Sequence, residues 1–513
     1  MSLATEVADT STGRWSWHQL RTVVIACSAV AVVIASMAAL YTALPQIAVA
    51  TGANQTQSAW IVDGYTLALA CLVLPAGALG DRYGRRLLLI VGLVIFTAAS
   101  VIPVVSSAVT ALIAARAIAG VGAALVMPST LSIITAEFPE NTAGRAIGVW
   151  AGFAGSGGLF GLIGSGLLLH WWSWQSIFVG LAVLAAVLAA AGFGLTESRS
   201  STAAGRDPFG ALTVIATVGL LVWALIAVGD RGWSDPYILC GFAGSVLAGA
   251  AFVTIELRVR RPLLNLRLFA RRGFGSGAAS ITVQFLVTFG MFLIVVQYLQ
   301  LILGYSPLRA AVAILPMGGA LIGLSWVSPH LALRYGLRWP TTAGLVVIAA
   351  GLGMMTRLTP SSGYLGVLIP LFVISAGLGL AAAPATTAIM TDTAVDTHGV
   401  AAAVNDAARE IGAAVGIAVA GTVLAAGYHS AIAAALPRLP EPARTPVSHS
   451  LAATTELAHQ AGPRAQPLLD LARTGFLDGM HHTTLVLAVI SLVAAVALAF
   501  GAPGRPRKVD RQD

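Results

Sequence analysis

The sequence predicts an all-α polytopic membrane protein, and three observations carry that reading. Of its 513 residues 57% are hydrophobic and only 10% charged, the mean hydropathy is +0.85, and the apolar residues gather in runs long enough to cross a bilayer. A soluble chain of this size would need far more polar surface. Fourteen such runs lie near residues 22–44, 58–79, 87–106, 109–131, 145–168, 174–195, 210–229, 236–257, 275–303, 308–331, 340–357, 364–390, 400–427 and 480–501. An even number of spans places both termini on one side.

The tail Met1–Arg21 is polar, and the first run is too long for the core of a cleavable signal peptide, so the first helix is expected to stay in the protein. Trp15, Trp17, His18 and Arg21 suit an interfacial segment ahead of it, a disordered tail being the alternative. With the N-terminus cytoplasmic, that side receives 20 of the 29 basic residues, the outer side 7, and Arg116 and Arg409 remain within spans. Basic residues are retained at the cytoplasmic face and one missed helix would scramble the asymmetry, so span count and direction support each other.

The net charge of +8 does not indicate nucleic acid, because the arginines alternate with hydrophobic runs and form no single polar face. Cys27, Cys71 and Cys240 sit inside apolar runs without metal or redox spacing, as small hydrophobes do. No phosphate-binding loop, zinc spacing or nucleophile–histidine–acid pattern stands out, so neither a nucleotide-driven pump nor an enzyme is expected, and no cofactor or metal.

An internal repeat is visible. Pro329–Arg338 echoes Gly77–Arg86, keeping Arg334-Tyr335-Gly336 and a terminal arginine but carrying Leu333 where the first copy has Asp81. Pro128 has a counterpart in Pro384, and the pair Gly157/Gly161 one in Gly412/Gly416. The expected organisation is a cytoplasmic tail (1–21), an N-terminal six-helix bundle (22–195), an extra two-helix insert with its linkers (196–274), a C-terminal six-helix bundle (275–501) and a cytoplasmic tail (502–513). Residues 429–476 form a long outer loop, rich in alanine and proline, that is expected to hold short helices.

Candidate functional residues are the charged groups set in apolar surroundings, since each costs a few kcal/mol to place there and needs a partner or a wet cavity. Asp63 lies between Trp60 and Tyr65, whose rings offer π-faces to a cation beside the carboxylate; the plain alternative is a boundary acid reached by water. Arg116, deep in span four, is expected to meet a carboxylate or helix-end carbonyls, in either a coupling or a static pair. Asp406 and Glu410 are four apart and share a helical face beside Arg409, an arrangement that either holds a proton between two acids or forms a fixed network. The loop residues Gly77, Asp81, Arg82, Gly84, Arg85 and Arg86 read as a charge latch or as a topology signal. Gly157, Gly161 and Gly166, among the glycines of span five, offer a face for close helix packing.

With these pieces in place the chain resembles the major facilitator superfamily over nearly its whole length, and within it the fourteen-span drug:proton antiporter branch. Gly77, Leu79, Asp81, Arg82, Gly84, Arg85 and Arg86 match the family's loop motif; Arg116, Gly120 and Gly122 match the span-four motif, with Ala119 where a glutamine is common. Trp60-Ile61-Val62-Asp63 is similar to the quaternary-ammonium exporters, and Gly229–Trp233, Gln297–Gln300 and Ser306-Pro307 also read like this branch. Two positions depart from it: Ser36 stands where an aspartate is usual, and Leu162 follows Gly161 where a proline is usual.

The resemblance implies a major facilitator fold and a monomeric, non-enzymatic antiporter of the cytoplasmic membrane, with both termini inside. It implies export of hydrophobic or cationic drugs and antibiotics in exchange for protons. Asp63, Trp60 and Tyr65 would then bind substrate, Arg116, Asp406 and Glu410 would couple protons, and the Asp81 loop would gate. A dedicated exporter of a natural product or lipid, consistent with Ser36, and a non-transporting sensor or scaffold stay open.

Overall fold

The structure, a computed structural model, describes residues 15–504 apart from 139, 200–206, 260, 261, 263 and 392–397. Every described element is a helix: α1 (Trp17–Thr51), α2 (Gln55–Tyr83), α3 (Arg85–Val105), α4 (Val109–Glu137), α5 (Glu140–Trp171), α6 (Gln175–Gly192), α7 (Pro208–Arg231), α8 (Pro236–Arg258), α9 (Arg272–Gln297), α10 (Pro307–Ile314), α11 (Pro316–Tyr335), α12 (Arg338–Met355), α13 (Tyr364–Thr391), α14 (His398–Ile432), α15 (Glu441–His449), α16 (Leu451–Ala461) and α17 (Gln466–Gly501). Local chemistry sets several starts. Reciprocal capping boxes open α1 (Ser16 with Gln19) and α2 (Asn54 with Gln57), while Asp207 and Asp235 cap α7 and α8, each followed by proline at the first helical position.

Thirteen described stretches are long and apolar enough to cross a membrane. The fourteenth expected span is α12, an 18-residue helix whose polar first turn, Arg338-Trp339-Pro340-Thr341-Thr342, lowers its hydropathy. It still lies inside the bundle, packed on α13 and α17. Helices α1–α6 pack on one another, as do α9–α14 with α17, and the extra pair α7–α8 leans through α7 on α2 and α14. These are two six-helix bundles with two additional helices between them.

The repeat in sequence corresponds to a repeat in packing. In the first bundle Gly157 and Gly161 of α5 lie against Ala31 and Ala35 of α1; in the second, Gly412 and Gly416 of α14 lie against Thr282 and Leu286 of α9. A Cβ at Gly161, Gly412 or Gly416 would run into the backbone carbonyl of the facing helix. Glycine is therefore required for two backbones to approach this closely, and each bundle has one such seam. The missing proline at Leu162 leaves the α5 seam intact.

The loops alternate between two ends of the bundle. One carries Arg82, Arg85, Arg86, Arg334 and Arg338; the opposite end carries the α1–α2 and α3–α4 connections. Exposed tryptophans mark both rims, with Trp17 and Trp339 at the arginine-rich end and Trp171, Trp172 and Trp233 at the other. Such belts belong to a protein whose two ends sit at membrane–water interfaces. The outward surface of α8 between them is apolar, with Tyr237, Leu239, Val246, Leu247 and Val253 exposed.

Two spans differ from the sequence reading. The run 308–331 is broken between α10 and α11, where Pro316 has no amide hydrogen to continue the ladder. The final helix begins at Gln466 rather than near residue 480, because its first four turns are polar enough to hide from a hydropathy reading although they are helical. Most of 429–476 is thus structured. Ser450 caps α16, and the Tyr428 hydroxyl donates to the Val447 carbonyl (3.0 Å) and pairs with the Thr454 hydroxyl (3.1 Å), tying this segment to α14.

The seams generate a stability test. Gly161→Ala is expected to lower stability by about 1–3 kcal/mol, the cost of overpacking a tight contact, read as a lower melting temperature of the detergent-purified protein. Gly164→Ala, three residues along the same helix and with open space around it, should leave the melting temperature unchanged or raise it. Equal losses in the two variants would refute the seam.

Candidate functional site

Arg116 is the pivot of the first bundle. It is only 2% exposed, and the ion pairs among the described residues do not include it. Its guanidinium is satisfied by other means: Nη1 donates to the Ser36 hydroxyl (2.9 Å), Nη2 to the Ser36 carbonyl (3.4 Å) and Nε to the Ile61 carbonyl (3.2 Å). The Tyr65 ring lies under it, 4.2 Å from guanidinium carbon to centroid. Tyr65 is fixed in turn by donating to the Val33 carbonyl (2.8 Å) and by an edge contact with Phe96. Helices α1, α2 and α4 are therefore joined through one buried cation.

Gly120 makes this possible. It lies one turn beyond Arg116, and a Cβ there would strike the Tyr65 carbonyl. The span-four motif thus reads physically as a charge plus the glycine that lets its helix approach α2. Ser36 does what a hydroxyl can, accepting one charge-assisted hydrogen bond where an aspartate would have supplied a full counter-charge.

Asp63 sits two residues after Ile61, fully buried, and among the described residues neither carboxylate oxygen has a hydrogen-bond partner. Tyr41 of α1 stands within electrostatic reach of both Asp63 and Arg116, and its hydroxyl is likewise unpartnered among the described residues. An acid left in this condition is held ready for a proton or a cation, since a buried unpaired carboxylate is costly. Of the two aromatics flanking it in sequence, Tyr65 gives its face to Arg116, and Trp60 is part-buried against the smaller apolar cluster that α2 shares with α7, α9 and α14.

The second ionisable cluster is on α14. Asp406 and Glu410 are 6% and 5% exposed, and Arg409 Nη1 lies 3.9 Å from Asp406 Oδ1 while its guanidinium covers Phe285 of α9 at 4.6 Å. Glu410 Oε2 has no hydrogen-bond partner among the described residues. Because α14 runs along α2, with Gly421 against Ala59, the acids of the second bundle share the protein's interior with Asp63 and Arg116.

At the arginine-rich end the α2–α3 loop is clamped. Gly84 has φ +119, which only glycine adopts without strain, and a Cβ there would meet the Glu197 carboxylate at 2.6 Å. Glu197 Oε1 accepts the Arg86 amide (3.1 Å), and Arg86 Nη1 donates to the Leu195 carbonyl (3.1 Å). The Arg85 amide donates to the Ser198 carbonyl (3.1 Å), and Arg85 Nη1 to the Ser132 carbonyl (3.0 Å). Gly77 and Gly80 face Pro128 and Ser129 of α4, while Arg82 extends over the Tyr83 ring. The side chain of Asp81 lies outside the described residues. Glu197, which no motif singled out, is an acid that holds this loop, through the Arg86 amide.

At the opposite end the two bundles meet. Gln300 Nε2 donates to the Thr42 carbonyl (2.9 Å), the Thr42 and Ser165 hydroxyls pair at 2.5 Å, and Gly166 stands against Leu308, 2.9 Å from its would-be Cβ to the Leu308 Cα. Helix α16 packs on the end of α1, around a cavity of about 300 Å³ lined by Val49, Gly52, Glu456 and Leu457 among others. The Gln300–Thr42 and Gly166–Leu308 contacts between the bundles thus lie at the end away from the Arg85 loop.

Comparison with known proteins agrees with this geometry. The sequence profile of the Major Facilitator Superfamily matches residues 26–417. The chain is 33% identical over 465 residues to multidrug resistance protein Stp of Mycobacterium tuberculosis, covering 88% of this chain and 86% of that one. It is 32% identical over 464 residues to the tetracenomycin C resistance and export protein of Streptomyces glaucescens, covering 87% and 85%. Among solved structures, a bacterial homolog of the human lysosomal transporter Spinster, in an inward-facing and occupied conformation, superposes with a TM-score of 0.65 at 14% identity over 95% of this chain and 98% of the other.

The Ser36–Arg116 bond can be tested apart from any transport assay. Ser36→Ala should cost about 0.6 to 2 kcal/mol, from the average to the upper end for side-chain hydrogen bonds inside bilayers, seen as a lower melting temperature, whereas Ser36→Thr should retain it. An Ala variant as stable as the parent would show that Arg116 does not depend on this hydroxyl.

Proposed function

The chain belongs to the Major Facilitator Superfamily, and on that premise we propose that it is a proton-coupled exporter of hydrophobic, cationic drugs or antibiotics. It works as a monomer in the cytoplasmic membrane, with both termini and the arginine-rich end inside. Its relatives are named for multidrug resistance and for resistance and export of an antibiotic. The observation that carries the coupling mechanism is Asp63, a fully buried carboxylate without a hydrogen-bond partner among the described residues, two positions from the carbonyl that receives Arg116.

In that mechanism a proton neutralises Asp63 while no substrate is present, because an uncompensated carboxylate in this surrounding is expensive. A cationic substrate entering from the cytoplasm supplies the counter-charge and releases the proton, so the two occupy the acid in turn. Arg116, bonded to Ser36 and Ile61, holds α1, α2 and α4 in register as the bundles rock. Asp406 and Glu410, with one arginine between two acids, provide the corresponding site in the second bundle. The clamped loop from Gly77 to Arg86 sets when the cytoplasmic end opens, and release requires the Thr42–Gln300 and Gly166–Leu308 contacts to part.

A second reading, export of one natural product or lipid, is favoured by Ser36. With a hydroxyl beside Arg116 the first bundle has one acid fewer to offer a cation, which suits a weakly charged cargo.

The test is ethidium efflux from cells, with and without a protonophore. The parent should expel the dye only while the gradient persists, and Asp63→Asn should abolish efflux while leaving the amount of protein in the membrane unchanged. Efflux unaffected in Asp63→Asn would remove this residue from the mechanism, and efflux indifferent to the protonophore would remove proton coupling.

A further inference from the structure

We propose that Phe285, Phe289 and Phe292 of α9 form a stacking rail for flat aromatic cations, running through the interior from the Asp406–Arg409 pair to Tyr41 of α1. The proposal rests on the export reading above and deepens it by naming the class of substrate.

Spacings of four and three residues put the three phenyl rings on one face of α9. Consecutive rings are within stacking range: Phe285 and Phe289 are 5.9 Å apart and inclined by only 23°, Phe289 and Phe292 are 6.4 Å apart edge to face, and Phe292 continues to Tyr41 at 6.0 Å and 31°. The row therefore crosses from the second bundle, where α9 belongs, to α1 of the first. All three phenylalanines remain part-exposed while Leu286, Val287, Met291 and Leu293 on the same helix are buried. Packing alone has not used up their faces.

What the row suits is indicated by the group already lying on it. The Arg409 guanidinium, a planar cation, covers Phe285 at 4.6 Å with the Asp406 carboxylate 3.9 Å away. Arg116 over Tyr65 at 4.2 Å repeats the arrangement in the first bundle. A flat, delocalised cation gains both from the negative face of a ring and from dispersion across its whole plane, whereas a compact alkylammonium gains only the first. With an acid near each end and rings between, the rail discriminates by shape as well as by charge, and gives a planar cation successive resting places between the two acidic clusters.

Phe289, the middle ring, is the residue to test, with ethidium as the flat cation and tetrapropylammonium as a non-aromatic cation of equal charge. In proteoliposomes Phe289→Leu should raise the apparent KM for ethidium roughly three- to tenfold, the range one aromatic contact commands, and raise that for tetrapropylammonium by a clearly smaller factor, since it loses only the cation–π part; Phe289→Tyr should restore ethidium. Parallel losses for both cations, or an unaltered KM for ethidium, would overturn the rail. Ethidium fluorescence on the purified protein reads binding without turnover and separates the two proposals. A Phe289-dependent affinity in a parent that exports nothing keeps the rail and sinks the export reading. Export with binding insensitive to Phe289→Leu does the reverse, and a parent that binds no ethidium overturns the rail.

Discussion

The interior of the first bundle is arranged around one requirement, that a guanidinium buried at Arg116 must find hydrogen-bond acceptors where water is scarce. An unsatisfied charge in that position would cost several kcal/mol, so its partners are not optional. They come from α1 (Ser36), α2 (Ile61) and the Tyr65 ring. Much else follows from meeting that requirement: Gly120 removes the side chain that would hold α4 away, and Tyr65 is itself anchored on α1 through Val33. Asp63 is then left on the same helix as two of these partners but with none of its own among the described residues.

The second organising feature is the pair of glycine seams. Helices α1 and α5 meet through Gly157 and Gly161, and α9 and α14 through Gly412 and Gly416, each against the facing backbone. Backbones in such contact present a smooth surface along which one helix can shift without disengaging side chains. Each seam also carries its bundle's charged site to the interior: α1 contributes Ser36 and Tyr41, and α14 contributes Asp406 and Glu410. Packing and chemistry are thus built from the same helices, as expected for a protein whose bundles move against each other around a shared centre.

Besides the packing of α14 along α2, contacts between the bundles and those that clamp the loop lie at opposite ends. Gln300 and Thr42 join the bundles at the end away from the arginines, and α16 covers α1 there. At the other end the bonds to Glu197, Leu195, Ser198 and Ser132 are made within the first bundle. They stiffen one bundle and leave the route between the bundles unbridged by those residues.

Most of the architecture was legible in the sequence, because in a bilayer the hydropathy of a helix and the side on which its arginines remain are properties of the chain alone. The spans, the extra pair α7–α8, the repeat and the residues Asp63, Arg116, Asp406 and Glu410 could all be read that way. The polar start of α17 and the break at Pro316 could not be placed so well: hydropathy measures what a segment avoids, and helices continue outside the membrane where it no longer applies. Which groups meet was decided only by the tertiary structure. That among the described residues Ser36 and a mid-helix carbonyl, and not an acid, satisfy Arg116, that Glu197 packs against Gly84 and holds Arg86, and that three phenylalanines align from Arg409 to Tyr41 are facts of distance between helices. Such distances are set by glycine contacts between residues far apart in the chain, and nothing local to any one helix encodes them.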